Sequence, residues 1–190
     1  MTDPIQVFRE LFARASASCA EPEAMVLSTV DPDGQPSGRY VLLKEVDERG
    51  FVFYTNLDSR KARAMAVHPV AALCFYWPSI DTQVRVEGPV ERVTDAEADA
   101  YFATRPRESR IGAWASTQSA VLESRAALDR RVVDAAARFA GGEVTRPTFW
   151  SGFRVLPRSI EFWTRDPARL HTRERYAIDG SEWTRALLYP

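Results

Sequence analysis

Apolar residues recur along this chain with two periods, and the change from one to the other separates its elements. Ile5, Phe8, Leu11, Phe12 and Ala15 follow the spacing of one helix face, behind Asp3-Pro4, an N-cap residue followed by the residue favoured at the first helical position. An amphipathic opening helix is expected there. From Ala24 the runs become short and rich in β-branched and aromatic residues, which predicts strands over Met25–Val30, Arg39–Val46 and Phe51–Thr55. Pro-Asp-Gly at 32–34 and Asp-Glu-Arg-Gly at 47–50 supply the turns between them. A short helix over Ser59–Val67 ends before His68-Pro69, and strands follow over Val70–Trp77 and Gln83–Val93.

Thr94-Asp-Ala-Glu97 reads as a capping box opening a helix that carries Tyr101 and Phe102 and stops near Arg105-Pro106. A further helix is expected from about Ser119 to Ala140, closed by Gly141-Gly142. The remainder returns to strands around Phe153–Val155, Ile160–Thr164, Leu170–Ala177 and Trp183–Leu188. Short strands in hairpin order with a few helices favour a mainly β, antiparallel barrel with flanking helices over a doubly wound parallel sheet. One domain is expected over residues 1–190, because 45% hydrophobic residues in 190 are enough for a core without disulfides.

Net charge is −1, so nothing draws the chain as a whole to nucleic acid or to an anionic membrane, and any anion must be bound locally. No basic-then-apolar leader opens the chain over Met1–Glu10 and no apolar run is long enough to span a bilayer, which predicts a cytoplasmic protein. Cys19 and Cys74 have no metal-ligand or redox spacing and read as buried reduced thiols; with only His68 and His171 as histidines, no metal site is expected. Of 25 cationic residues only Lys44 and Lys61 are lysines. A coding bias toward arginine explains the excess but not why these two positions kept lysine.

Four stretches carry candidate chemistry. Arg39-Tyr-Val-Leu-Leu-Lys44 places cations at both ends of an apolar strand. Tyr54-Thr55-Asn-Leu-Asp-Ser59-Arg60-Lys61 runs from a strand into a helix N-terminus, where a hydroxyl, two cations and free N–H groups make either a phosphate cradle or an ordinary solvated basic turn. Basic residues in a first helical turn oppose the dipole, so an anion is expected nearby. Tyr101, Arg105 and Ser109 recur every four residues and suit a second phosphate, or else form a solvent-facing helix end. Along the strand expected after Glu161-Phe-Trp163, alternation would put Arg169, His171 and Arg173 on one face, an arrangement that calls for an anion or water. Gln83 either offers its amide to a ligand or occupies a strand edge, Gln118-Ser119 reads as a helix start, and Trp163 lies either in the core or beside a planar ring. No Gly-x-Gly-x-x-Gly or Walker-type loop is present.

Taken in order, RxVLLK, FYTN with SRK, QVxVxG, YFxxRPRxS, IGAWxSxQS, FWxGFRV, EFW and RLHxR resemble the pyridoxamine 5'-phosphate oxidase family from about Glu21 to Pro190. The resemblance implies an FMN-binding split barrel, homodimeric, with two active sites at the subunit interface. It implies that Arg39, Tyr54, Thr55, Arg60, Lys61, Gln83, Gln118, Ser119, Trp163 and Arg173 contact FMN. Lys44, Tyr101, Arg105 and Ser109 would grip the substrate phosphate, with Arg169 and His171 as the catalytic pair over the pyridine ring. The implied reaction oxidises pyridoxamine or pyridoxine 5'-phosphate to pyridoxal 5'-phosphate with O2 as acceptor, giving H2O2. Family members commonly carry a longer segment that helps cover the substrate, where here Met1 to Ala20 precede Glu21. Two alternatives belong to the same fold. A phenazine-type flavin oxidase would not need the Tyr101, Arg105 and Ser109 grip, and a non-catalytic FMN or haem-binding protein would not need Arg169 and His171.

Overall fold

The computed structural model describes residues 3–180 and 182–190; Met1 and Thr2, at the head of the stretch read as leaderless, lie outside them. Helix α1 (Pro4–Ser16) opens as expected, with the Asp3 carboxylate accepting the Ile5 N–H at 2.9 Å. It buries Ile5, Phe8 and Ala15 against the sheet, where the Phe8 ring meets Phe51 edge-on at 4.8 Å and Phe75 at 5.1 Å. The strands are β1 (Ala24–Val30), β2 (Pro36–Leu42), β3 (Glu45–Asp47), β4 (Gly50–Asn56), β5 (Val70–Trp77), β6 (Thr82–Arg92), β7 (Trp150–Val155), β8 (Ser159–Thr164), β9 (Thr172–Asp179) and β10 (Glu182–Leu188). Helices α2 (Arg60–Val67), α3 (Asp95–Thr104), α4 (Arg107–Ala115) and α5 (Arg125–Arg138) lie between them. Among the described residues, no helix is long and apolar enough to cross a membrane.

Every strand pairing is antiparallel, and the sheet runs β10-β9-β8-β6-β5-β1-β2 with β7, β4 and β3 branching from β6. This is the antiparallel barrel with flanking helices that the hairpin order predicted. The branch exists because one edge of β6 serves two partners in turn: Thr82–Glu87 pairs with β8 and Val90–Arg92 with β7. Gly88 sits at the changeover. A Cβ there would lie 1.9 Å from the Leu156 carbonyl oxygen, so only glycine lets the β7–β8 connection pass.

Four elements differ from the sequence expectation. The strand read over Arg39–Val46 breaks at Leu43-Lys44, where the Leu43 N–H donates to Glu23 and the Lys44 N–H to Val52, both at 2.9 Å. The chain thereby leaves β1 for β4, and the corner puts Lys44 beside Arg39's strand. Helix α4 follows the stop expected near Arg105-Pro106: the proline that ends α3 also suits the entry to a new helix. The helix read from Ser119 starts at Arg125, capped by Ser124, so Ser119 is not an N-cap but a loop residue at φ 72°. The strand read from Leu170 starts at Thr172, after a turn in which Arg169 takes φ 68°.

Helix α3 is fixed to the sheet by charge. Glu97 closes the capping box on the Thr94 N–H at 2.8 Å, and its other oxygen accepts Arg154 at 2.7 Å and Arg49 at 2.8 Å. Arg154 is 1% exposed and also contacts Asp47 at 2.9 Å, so β7, the β3–β4 hairpin and α3 meet at one buried guanidinium. The Thr94 N–H, then Arg49 and the Thr94 hydroxyl, hold the Glu97 carboxyl down to about 2. A carboxylate held down in the folded state stabilises the fold above its ordinary value and loses that contribution as pH falls through the lowered one. The urea midpoint should therefore fall as pH drops from 4.5 to about 2, and Glu97→Gln should lose less stability over that window than wild type. An identical slope in the two proteins would exclude Glu97 as a contributor.

Candidate active site

A cleft of about 800 Å³ opens between the β2–β4 side of the sheet and helices α3 and α4. Arg39, Lys44, Tyr54, Thr55, Lys61, Tyr101, Arg105, Ser109 and Gln118 all line it. Both lysines of the chain are among them.

At one part of the cleft, Ser59 caps α2 by accepting the Ala62 N–H at 3.4 Å. Lys61, in the first turn, is 8% exposed, and its Nζ bonds only to the hydroxyls of Thr55 at 3.1 Å and Ser59 at 3.5 Å. No carboxylate reaches it among the described residues. Burial, and then the neighbouring Arg39 charge, push its pKa below the ordinary lysine range. Arg39 also makes no ion pair in contact: it donates to the Leu27 carbonyl at 3.0 Å, to the Thr29 hydroxyl at 2.8 Å and to the Ser37 hydroxyl, all neutral oxygens, while the Asp31 charge acts on it through space. Two partly desolvated cations with no carboxylate in contact are costly unless an anion joins them.

The 116–119 loop closes this part. Gln118 Oε1 accepts from the Thr55 hydroxyl at 3.2 Å and the Asn56 N–H at 3.4 Å, and the Ser119 hydroxyl accepts the Arg60 N–H at 3.1 Å. Ser119's positive φ is what aims the loop at α2, a strained backbone of the kind retained where the surroundings require it. The Arg60 side chain turns to Asp31, which takes its Nε at 3.0 Å and its Nη2. Asp31 is the anion expected beside this helix start. Its own sequence context, a Pro-Asp-Gly turn, gave no sign of the role.

The other part of the cleft is aromatic. Tyr101 stacks on Tyr54 at 4.0 Å and Tyr54 on Trp150 at 5.4 Å, so three rings form a wall. Burial raises the Tyr54 phenol to about 12, which keeps it neutral. The Arg105 guanidinium lies 4.7 Å from the Trp150 ring centre, and its buried Nη1 has no hydrogen-bond partner. Burial lowers its pKa, and no carboxylate pairs with it among the described residues. Tyr101, Arg105 and Ser109 do converge, although across two helices rather than along one turn.

Gln83, Trp163, Arg169, His171 and Arg173 do not line this cleft. Gln83, Trp163 and Arg173 stand on β6, β8 and β9 in one cross-strand row, Gln83 paired with Trp163 and Trp163 with Arg173, and Arg169 and His171 lie in the turn just before β9. His171 lies 4.5 Å from the Trp163 ring and accepts the Asp166 N–H on Nδ1 at 3.1 Å, which leaves Nε2 to carry the proton of the neutral ring. Arg173 is held by buried Glu161 at 2.8 Å. Arg169 and His171 both precede the strand, so alternation does not place either with Arg173, contrary to the expectation from sequence.

A family model described as pyridoxamine 5'-phosphate oxidase matches residues 12–139, and one described as the pyridoxine 5'-phosphate oxidase C-terminal dimerisation region matches 150–190. The pyridoxine/pyridoxamine 5'-phosphate oxidase of Myxococcus xanthus strain DK1622 is 57% identical over 99% of this chain and 92% of its own length. That of Rhodospirillum rubrum is 55% identical over 99% and 96%. Among solved structures, PhzG from Burkholderia lata 383 in complex with tetrahydrophenazine-1-carboxylic acid superposes with a TM-score of 0.95 at 31% identity, covering 100% of this chain and 94% of that one. A pyridoxamine 5'-phosphate oxidase-related, FMN binding protein from Nostoc punctiforme PCC 73102 shares the fold at a TM-score of 0.79 and 17% identity, with both chains fully covered.

The carboxylate-free surroundings of Lys61 make a simple anion a stabilising ligand. Inorganic phosphate should raise the melting temperature of the ligand-free chain, by an amount corresponding to about 2.7 kcal/mol at roughly a hundredfold excess over its Kd. Lys61→Met should abolish most of that rise while leaving the phosphate-free chain at least as stable, since an apolar replacement removes a desolvated charge. Thermal scans of both proteins with and without phosphate check this.

Proposed function

Because the chain belongs to the pyridoxamine 5'-phosphate oxidase family, a family of oxidoreductases, we propose that it oxidises pyridoxamine and pyridoxine 5'-phosphate to pyridoxal 5'-phosphate with FMN as redox group and O2 as acceptor. The observation that carries the reading is that one cleft holds two groups of cations without carboxylate partners among the described residues, Arg39 with Lys61 and Lys44 with Arg105. FMN and the substrate are both phosphate monoesters, so the cleft has one charged end for each.

The residues fit FMN at the α2 end. Lys61, Arg39 and Arg60 would hold its phosphate, with Tyr54, Thr55, Gln118 and Ser119 around it. When bound, FMN supplies the two-electron chemistry at the substrate carbon. The protein's own work is placement. Arg105, over the Trp150 ring at 4.7 Å, takes the substrate phosphate together with Lys44, Tyr101 and Ser109, its buried Nη1 having no protein acceptor among the described residues. Arg169 and His171 orient the group that changes, His171 as a donor through Nε2.

Those two residues, with Gln83, Trp163 and Arg173, reach the cleft as the contribution of a second copy. The dimerisation-region match over 150–190 supports this, since it contains four of the five. Exposed Tyr40 and Tyr76 on the same sheet, 76% and 55% accessible, offer the apolar surface such an interface needs. A phenazine-type activity is the weaker reading, because the relatives above 50% identity are pyridoxine/pyridoxamine 5'-phosphate oxidases while PhzG stands at 31%.

The first check is an absorbance spectrum, then release of the flavin by acid or heat, then a peroxide assay with pyridoxamine 5'-phosphate. The protein should be yellow and release FMN, not FAD; a colourless chain that takes up no added FMN sinks the reading. The second check assigns the phosphates. Arg105→Ala should keep FMN and lose kcat/KM by about one to two orders of magnitude, mainly through KM, since a charge-assisted contact to a remote phosphate is worth ~1.5–3 kcal/mol. Arg169→Ala should instead lower kcat. Wild-type kinetics in Arg105→Ala would mean that the substrate phosphate lies elsewhere.

A further inference from the structure

Among the described residues, Arg60 is the one of the three cations at the α2 end in direct contact with a carboxylate; the charge of that carboxylate, Asp31, reaches Arg39 only through space. Asp31 Oδ2 takes both the Arg60 Nε, at 3.0 Å, and the Arg60 Nη2, while Oδ1 is buried with no hydrogen-bond partner. The carboxylate is fixed independently of α2: Asp31 follows β1, its N–H donates to Gln35 at 2.9 Å and its carbonyl accepts the Gly34 N–H at 2.8 Å. Its side chain is 9% exposed, whereas that of Arg60 is 58% exposed. A rigid, desolvated acceptor therefore holds a long, otherwise solvated side chain by one edge. A guanidinium has a fork of five donors, so Nη1 and the second Nη2 hydrogen stay free.

We propose that Asp31 is a positioning residue that presents Arg60 to the phosphate of the flavin and sets the charge of the cradle. Arg39, Arg60 and Lys61 against Asp31 leave two net positive charges, the complement of a phosphate monoester dianion. Without the carboxylate, Arg60 would sweep solvent and lose rotamer freedom only on binding, which weakens the contact it makes. The inference rests on the flavin phosphate lying at this end of the cleft.

The test separates the phosphate's contribution from that of the ring. The full-length chain, freed of flavin, is titrated with FMN and with riboflavin by quenching of flavin fluorescence; the ratio of the two Kd values measures what the phosphate adds. Asp31→Ala should shrink that ratio about tenfold, equivalent to ~1.4 kcal/mol, with riboflavin affinity unchanged. Asp31→Asn, which keeps an oxygen acceptor for Arg60, should fall between. In an Arg60→Ala background, Asp31→Ala should change the ratio no further. An unchanged or larger ratio in Asp31→Ala overturns the proposal, and so does an equal loss for both flavins, which marks Asp31 as a tether of the hairpin only. If wild type itself binds FMN and riboflavin alike, the phosphate placement fails instead, and that result is read before any variant is made.

Discussion

The shared edge of β6 is the constraint on which the rest of the structure depends. A strand has one set of N–H and C=O groups on each edge, and β6 divides one of these sets between β8 and β7. The sheet must therefore curl away in two directions. One direction carries β7, with Trp150 for the cleft wall and Arg154 for the anchor of α3; the other carries β8 and β9 with Trp163, His171 and Arg173. The changeover at Gly88 leaves no room for a side chain, so the two groups of functional residues are separated by backbone geometry before any side chain is placed.

Electrostatics then sorts the arginines and lysines. Arg154, Arg60 and Arg173 each have a carboxylate, and those of Arg60 and Arg173 are buried ones, Asp31 and Glu161. Among the described residues Arg39, Lys61 and Arg105 touch only neutral oxygens or aromatic rings, with Asp31 acting on Arg39 through space. Burial does not decide the difference, since Arg154 is 1% exposed and still has its carboxylates; what the second group shares is its place on the cleft. Partly desolvated cations with no acid in contact favour a bound anion, which is the basis of the proposed binding site.

How much of this was legible in the sequence depends on the range of the contact. Helix α1, the capping box of α3 and strands such as β5 follow from neighbours a few residues apart, and they stand where the periodicity put them, whereas the break at Leu43-Lys44 depends on distant partners. Ser59-Arg60-Lys61 was legible for the same reason. Asp31 was not, since it meets Arg60 across 29 positions and its Pro-Asp-Gly context already had a sufficient explanation as a turn. Arg154 and Glu97 are 57 apart and equally silent. Pro106 was read only as a stop, which hid α4, and the positive φ values of Ser119 and Arg169 are imposed by tertiary contacts that no propensity anticipates. What joined the two groups of residues into one proposed site was the ordered set of motifs, not their spacing.

The separation of Lys61 and Arg105 from Trp163 and His171 within one chain has a consequence for inheritance. A site assembled from two copies tolerates damage differently from a site built by one. Under the proposed two-copy site, an allele altered at Arg105 and one altered at His171 would give mixed dimers in which one cleft collects both defects and the other collects neither. Such alleles would complement each other, whereas two alleles altered in the same group would not.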